Sequence, residues 1–302
     1  ANTISHRDNT AMASIYGTND VILFGGGHGT HGPYADTNEY NTSQDVWTYK
    51  GIIPDRGYFG GLAAINGTDC MIYYGGTTEN GGSNETWIYN TTANKWTLAN
   101  PAKSPPATSL ANIATLSTDD KVVLSFTIGT WVYDYSDNSW TNMSPPILPD
   151  GGTSIATVFN DDKVLLYDGD YNKTWVYDYG DNNWTDKKPV SAPGRRYYPA
   201  MAPVSDGDNV VLFSGDWSSK YLNDTWVYSL KANNWSKKAP SRAPLPRSHA
   251  SMATIYEDDK VLLYGGDAAY VPPNDRFGDS WIYDLSEDNW SQKADKIPPA
   301  RS

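Results

Sequence analysis

An all-β chain folded as a six-bladed β-propeller is the architecture this sequence predicts, on three observations. Tryptophans recur in pairs nine residues apart: Trp87/Trp96, Trp131/Trp140, Trp175/Trp184, Trp226/Trp235 and Trp281/Trp290. The unit that carries each pair returns about every 50 residues, the length of a four-stranded blade. No stretch shows the 3.6-residue apolar period of a helix, and turn-forming residues punctuate the chain instead.

Each copy opens on a small-residue segment, such as Met12-Ala13-Ser14-Ile15-Tyr16 or Met252-Ala253-Thr254-Ile255-Tyr256, which reads as the first strand. Polar turns at residues 17–20, 66–69, 119–121, 161–163, 206–208 and 258–260 follow, rich in the Asp, Asn and Gly that tight hairpins need. The second strand is an apolar run at 21–24, 71–74, 122–124, 164–167, 210–213 and 261–264. A Trp-x-Tyr third strand comes next (Trp87-Ile88-Tyr89 through Trp281-Ile282-Tyr283), then an Asp/Asn-rich turn and a fourth strand holding the second Trp. Equivalent positions fall at Arg7, Gly57, Thr108, Asp150, Arg196 and Arg247, so residues 1–302 read as one propeller. In such a ring the aromatics wedge each blade against the next.

Copy one departs from the pattern. Trp47-Thr48-Tyr49 reads as its third strand, with no downstream Trp and only ten residues before Gly57. Blade one is therefore expected to lack its outer strand and to expose an edge at Val46, Trp47, Thr48 and Tyr49, a template for strand addition. The chain begins with a first-strand copy and ends with a fourth-strand copy. Closure is expected through blade contact, unless Pro299-Ala300-Arg301-Ser302 opens a seventh copy.

The repeat resembles the kelch family. Gly25-Gly26, Gly75-Gly76 and Gly265-Gly266 match the glycine pair that closes the second kelch strand, followed by Tyr49, Tyr89 and Tyr283 and by a Trp in all but copy one. Ser125-Phe126, Asp168-Gly169 and Ser214-Gly215 depart from that pair. The resemblance implies the propeller fold over the whole chain. For function it implies little, because the family holds both binding scaffolds and enzymes.

Composition narrows the classes further. A net charge of −12 and an isoelectric point near 4.6 argue against nucleic acid, which demands a clustered basic surface. With 12 Trp and 22 Tyr the chain has ample apolar surface to bury, so disorder is not expected. No uncharged apolar run reaches 18 residues, and no transmembrane segment is expected. Cys70 is the only cysteine, which excludes an internal disulfide and a cysteine-based zinc cluster. The amino terminus, Ala1-Asn2-Thr3, is what signal-peptide removal from a secreted protein would leave.

Ten Asn-x-Ser/Thr sequons, at Asn41, Asn66, Asn84, Asn90, Asn142, Asn172, Asn183, Asn223, Asn234 and Asn289, point to N-linked glycans on an extracellular or cell-surface protein. The repeat itself multiplies sequons, so Asn41, Asn66, Asn90 and Asn142, outside the shared motifs, carry most of that argument. His28 and His31 share a Gly-rich loop, where they are candidates for a binding surface more than for a metal. Asp170, Asp216 and Asp267 follow the second strand in copies four to six, positions that a propeller gathers on one face near its axis. Trp217 stands outside the tryptophan pattern and, with Tyr270, is a candidate for contacting a partner or stacking on a sugar. Arg7, Arg196, Arg247 and Arg301 recur at copy starts, where pairing with loop aspartates is the expected role.

No Ser-His-Asp spacing, phosphate loop or nucleotide fingerprint appears, and no cofactor is expected. The reading that follows is a non-catalytic protein-interaction or self-assembly module. The second is a glycan-acting enzyme with its site at the propeller axis, since kelch-like propellers include sugar oxidases, sialic-acid-processing enzymes and lyases. The copper oxidases among them pair a Cys with Tyr and His, and no His accompanies Cys70 in the repeat register.

Overall fold

The computed structural model describes residues 4–28, 32–52, 59–78, 81–126, 129–151, 154–205, 207–256, 258–268 and 276–293. They form six antiparallel sheets of four strands, each sheet a meander running from the inner to the outer strand. The innermost strands are Ala11–Ser14, Gly61–Ala64, Asn112–Thr115, Ser154–Val158, Ala200–Pro203 and Ser251–Ile255. Each contacts the inner strand of both neighbouring blades, and Ala11–Ser14 meets Ser251–Ile255, so the ring is closed.

The core is correspondingly split into six seams. Each of six apolar clusters draws on two adjacent blades; Leu165, Tyr167, Leu212, Tyr228 and Trp235, for example, fill the seam between blades four and five. The seam joining blade six to blade one holds Met12, Val21, Leu23, Tyr40, Ala253, Leu262 and Tyr264, packed like the others. Closure thus uses ordinary blade contact. Alternation of side chains across each strand lets one sheet feed both of its seams.

Two hydrogen bonds recur around the ring. The outer-strand indole Nε1 donates to a threonine on the third strand of the preceding blade: Trp96 to Thr37 at 2.8 Å, Trp140 to Thr86 at 2.9 Å, Trp184 to Thr130 at 2.8 Å, Trp235 to Thr174 at 2.8 Å and Trp290 to Thr225 at 2.9 Å. The third-strand tyrosine hydroxyl donates to an Asn or Asp five residues on, as Tyr89 does to Asn94 and Tyr283 to Asp288, both at 2.7 Å. That acceptor stands at φ near +50°, which Asn and Asp tolerate better than other side chains do.

Both bonds correct the expectation for blade one, which has four strands: Ala11–Ser14, Val21–Phe24, Asp36–Asn41 and Val46–Ile52. Trp47 is the outer-strand tryptophan, donating to Ser280 at 2.9 Å, and the third-strand tyrosine is Tyr40, bonded to Asp45. Asn38 stands where other blades carry the first Trp. Its Nδ2 donates to Asp36 at 2.7 Å, as the indoles of Trp226 and Trp281 do to Asp224 and Asp279. The motif in copy one is thus Asn38-Glu39-Tyr40, and Trp47-Thr48-Tyr49 imitates it from the next strand. Val46, Trp47, Thr48 and Tyr49 do lie at a sheet edge, but it is the outer edge that every blade presents.

Candidate functional site

At one mouth of the axial channel four equivalent residues just before the inner strands hold positive φ: Asn9 at 54°, Phe59 at 66°, Tyr198 at 50° and His249 at 54°. Such values are costly for bulky side chains and cluster at functional sites. Backbone bonds link these residues from blade to blade. His249 N donates to Tyr198 O, Asn9 N to His249 O, Phe59 N to Asn9 O and Ala111 N to Phe59 O, all at 3.1–3.2 Å. Three of the side chains meet across blades: Tyr198 stacks on His249 with centroids 3.9 Å apart, and Phe59 meets the imidazole edge-on at 5.8 Å.

Around this aromatic row runs a polar crescent. His249 Nδ1 lies 3.0 Å from Asp267 Oδ1, and Ser248 Oγ donates to the same carboxylate oxygen at 2.8 Å. Tyr221 donates to Asp267 Oδ2 at 3.3 Å, and Arg276 Nε lies 3.1 Å from Asp8 Oδ2. Asp216 follows the second strand of blade five and interacts with Ser248, His249 and Asp267. Burial would raise the Asp267 carboxyl, but the hydrogen bond and charge of His249 outweigh it and hold the group below the usual range. Asp216 goes the other way: burial raises it, and Asp267 adds to the rise. Asp8 is raised too, by burial first.

Ser248, His249 and Asp267 do not make a nucleophilic triad. Ser248 Oγ and Asp267 Oδ1 both lie 3.0 Å from the same ring nitrogen, Nδ1, whereas a relay needs the hydroxyl and the acid on opposite nitrogens. What the arrangement can do is hold a ligand by stacking and by hydrogen bonds to carboxylates.

Trp217 sits at the outer end of the crescent, in a ribbon pairing Asp216–Trp217 with Lys220–Tyr221. It is half-buried, with the Arg195 guanidinium 4.1 Å over its ring and Tyr197 at 5.2 Å, and Tyr197 also bonds Asp170. Asp170, Asp216 and Asp267 therefore do share this face with Trp217. His28 lies in a second ribbon, Gly27–His28 with Gly32–Pro33, while His31 and Tyr270 lie outside the described residues. No grouping of three or more His, Cys, Asp or Glu able to hold a metal occurs among the described residues. Sequence reasoning passed over His249, Ser248, Tyr198 and Asp8. The signal available was positional: they occupy equivalent places before successive inner strands.

The channel is lined by all six inner strands, with Met12, Leu62, Ile113, Met201 and Met252 among them; a cavity of about 140 Å³ lies at this mouth, against Thr10, Pro199 and Ala250, and one of about 100 Å³ toward the other end, beside Phe159 and Tyr256. Each is under the ~300–1,000 Å³ of ligand pockets. The copy-start arginines are buried within the blades. Arg7, Arg196 and Arg247 each bond the backbone carbonyl that ends the second strand and pair with Asp36, Asp224 and Asp279 at 2.7 Å. Arg301 lies outside the described residues.

The sequons are scattered over the surface. Asn84, Asn142 and Asn223 are exposed; Asn41, Asn66, Asn90, Asn172, Asn183, Asn234 and Asn289 are half-buried. In three of them the hydroxyl residue has a packing role, since Thr86, Thr174 and Thr225 are the buried acceptors of the inter-blade indole bonds. Among the described residues no helix is long and apolar enough to cross a membrane.

A solved structure titled "Structure of YjhT" shares this fold with a TM-score of 0.72 at 14% identity, over 97% of this chain and 99% of its own. The family described as the KLHDC2/KLHL20/DRC7 Kelch-repeats domain matches residues 118–302. With more than half its length so matched and six kelch-like blades in place, this chain belongs to the kelch-repeat family.

Proposed function

We propose that this kelch propeller is a non-catalytic protein-interaction module, and that its partner docks on the crescent around His249 and Trp217. The observation that carries the reading is the row Phe59–His249–Tyr198, three bulky side chains held at positive φ just before the inner strands and in ring contact with one another. Aromatic side chains ringed by polar groups are the usual anchors of protein interfaces. The acidic character of the crescent favours a partner segment bearing Lys or Arg.

An extracellular or cell-surface location with N-linked glycans belongs to the same reading and rests on the ten sequons. Self-assembly, including into a surface filament, is a second reading. One observation favours it: the outer strand of blade one runs for 7 residues against 4 in the other blades, with Ile52 and Tyr49 exposed.

The test compares complexes cross-linked in the native source by the wild-type protein, Tyr198→Ala and Trp217→Ala. Loss of one shared partner in both variants supports the crescent. An unchanged partner set, or turnover of glycosides by the purified protein, overturns the reading. Intact mass before and after glycosidase treatment decides the glycans, and an unmodified native mass removes them.

A further inference from the structure

Blade four is built without the arginine that blades one, five and six bury. At the position of Arg7, Arg196 and Arg247 it carries Asp150, and at the position of Asp36, Asp224 and Asp279 it carries Lys173. This reversed pair, 2.7 Å apart, lies outside, with the aspartate side chain 57% and the lysine 34% exposed. The residue whose carbonyl the arginine caps elsewhere is Gly25, Ser214 or Gly265; here it is Asp168, whose side chain is fully buried. Asp168 Oδ1 accepts bonds from the backbone N of Asp170 at 3.1 Å and of Tyr171 at 3.3 Å, while its Oδ2 has no partner among the described residues.

The Asp170 carboxylate converges on the same place. A Cβ built on Gly151 would stand 3.0 Å from Asp168 Oδ1 and 3.5 Å from Asp170 Oδ2. A buried carboxylate is costly unless a proton or a counter-charge neutralises it, and the nearest lysine is turned outward to Asp150. In blades one, five and six that position carries no carboxylate, and the guanidinium beside it pairs with the aspartate that precedes the third strand.

We infer that blade four binds a hard divalent cation of the calcium type between Asp168 and Asp170, in the place that an arginine fills in blades one, five and six. Carboxylate oxygens suit such an ion, and backbone carbonyls and water complete its shell. Only two carboxylates contribute, so the affinity belongs to the weak class, on the order of 10⁻⁴–10⁻³ M. The site rests on blade geometry and needs no protein partner, although Asp170 also accepts a bond from Tyr197 on the face that carries Trp217.

Terbium is the probe, because Trp175 in the same blade can sensitise its emission. Emission is expected to rise on Tb³⁺ addition and to fall with excess Ca²⁺, and Ca²⁺ alone is expected to raise the melting temperature. Asp168→Asn and Asp170→Asn should each weaken Ca²⁺ binding at least tenfold, while Asp216→Asn should leave it unchanged. The inference is overturned if Ca²⁺ does not shift the wild-type melting temperature, or if the shift survives both substitutions. It is equally overturned if Asp168→Asn stabilises the protein by the same amount with and without Ca²⁺, the result expected of a carboxyl that is simply protonated.

Discussion

Asp150 and Lys173 form an ion pair in which the charges of a repeated latch are exchanged: in blades one, five and six an arginine precedes the first strand and an aspartate precedes the third. The exchange has a consequence two residues on. Trp226 and Trp281 donate Nε1 to the latch aspartate, but a lysine cannot accept, and Trp175 Nε1 is buried with no partner among the described residues. The double substitution Asp150→Arg with Lys173→Asp should rebuild the latch and give Trp175 its acceptor. A gain of about 1–2 kcal/mol is expected from bonds to charged groups. Each single substitution should destabilise by setting like charges together. Urea unfolding of the four proteins measures the coupling, and a double variant no more stable than the better single one would refute the equivalence.

The complete latches should also shape the acid limb of stability. Burial would raise Asp224 and Asp279, but the hydrogen bonds and charges of Arg196 and Arg247 hold both below the usual carboxylate range. A depressed folded value means the stabilisation is present above the unfolded value, about 3.9, and is lost as pH falls below it. Asp8, Asp168 and Asp216, raised by burial, have the opposite sign and are relieved as they take up protons. Arg247→Met would leave Asp279 charged and unpaired, at a cost of about 3–5 kcal/mol at pH 7. At pH 4 the cost should shrink, because the orphaned carboxyl then protonates readily. Equal costs at the two pH values would mean that the pair contributes nothing through its charge.

Ser214 stands where three other blades have glycine. Its φ is 67°, against 66°, 72° and 69° for Gly25, Gly75 and Gly265, and its buried hydroxyl has no partner among the described residues. Left-handed strain of about 1–2 kcal/mol and an unpaired hydroxyl worth about 1–3 should both disappear in Ser214→Gly, less up to about 1 for the freer unfolded chain. A net gain of at least about 1 kcal/mol is expected. The reverse change in blade six, Gly265→Ser, should destabilise, since a Cβ there would meet Arg7 O at 2.5 Å. Thermal unfolding checks both, and a Ser214→Gly protein melting below wild type would refute the strain argument.

The fold was legible in the sequence because blade packing needs large aromatics at fixed registers, and eleven of the twelve tryptophans make that register visible. Blade one misled because Asn38 keeps the hydrogen bond of the missing Trp without its bulk, so the equivalence lies in a contact and not in a residue type. The crescent was half legible. Asp170, Asp216, Asp267 and Trp217 fall after second strands, whose ends a propeller gathers on one face. His249, Tyr198 and Phe59 share a repeat position and a backbone conformation but no residue type, and a positive φ leaves no mark on a His, a Tyr or a Phe. The blade-four anomaly is written in the sequence as two exchanged charges, yet it reads as an ordinary exposed Asp and Lys until the other blades show what belongs there.

Ring closure gives a last, separable prediction. Five of the six inter-blade indole bonds end on threonine, while Trp47 of blade one ends on Ser280 of blade six, across the seam where the two ends of the ring meet. Ser280 is buried, so Ser280→Ala should leave the Trp47 N–H without an acceptor and cost about 1–3 kcal/mol. Ser280→Thr should keep the bond and restore the residue used by every other blade, with stability at or above wild type. In a ring, loosening one seam also lets the two terminal blades separate. Hydrogen exchange in Ser280→Ala should therefore rise in the inner strands Ala11–Ser14 and Ser251–Ile255 before it rises in Asn112–Thr115 on the far side. Uniform acceleration around all six blades would show that the ring opens as one cooperative unit and that the seam has no special weakness.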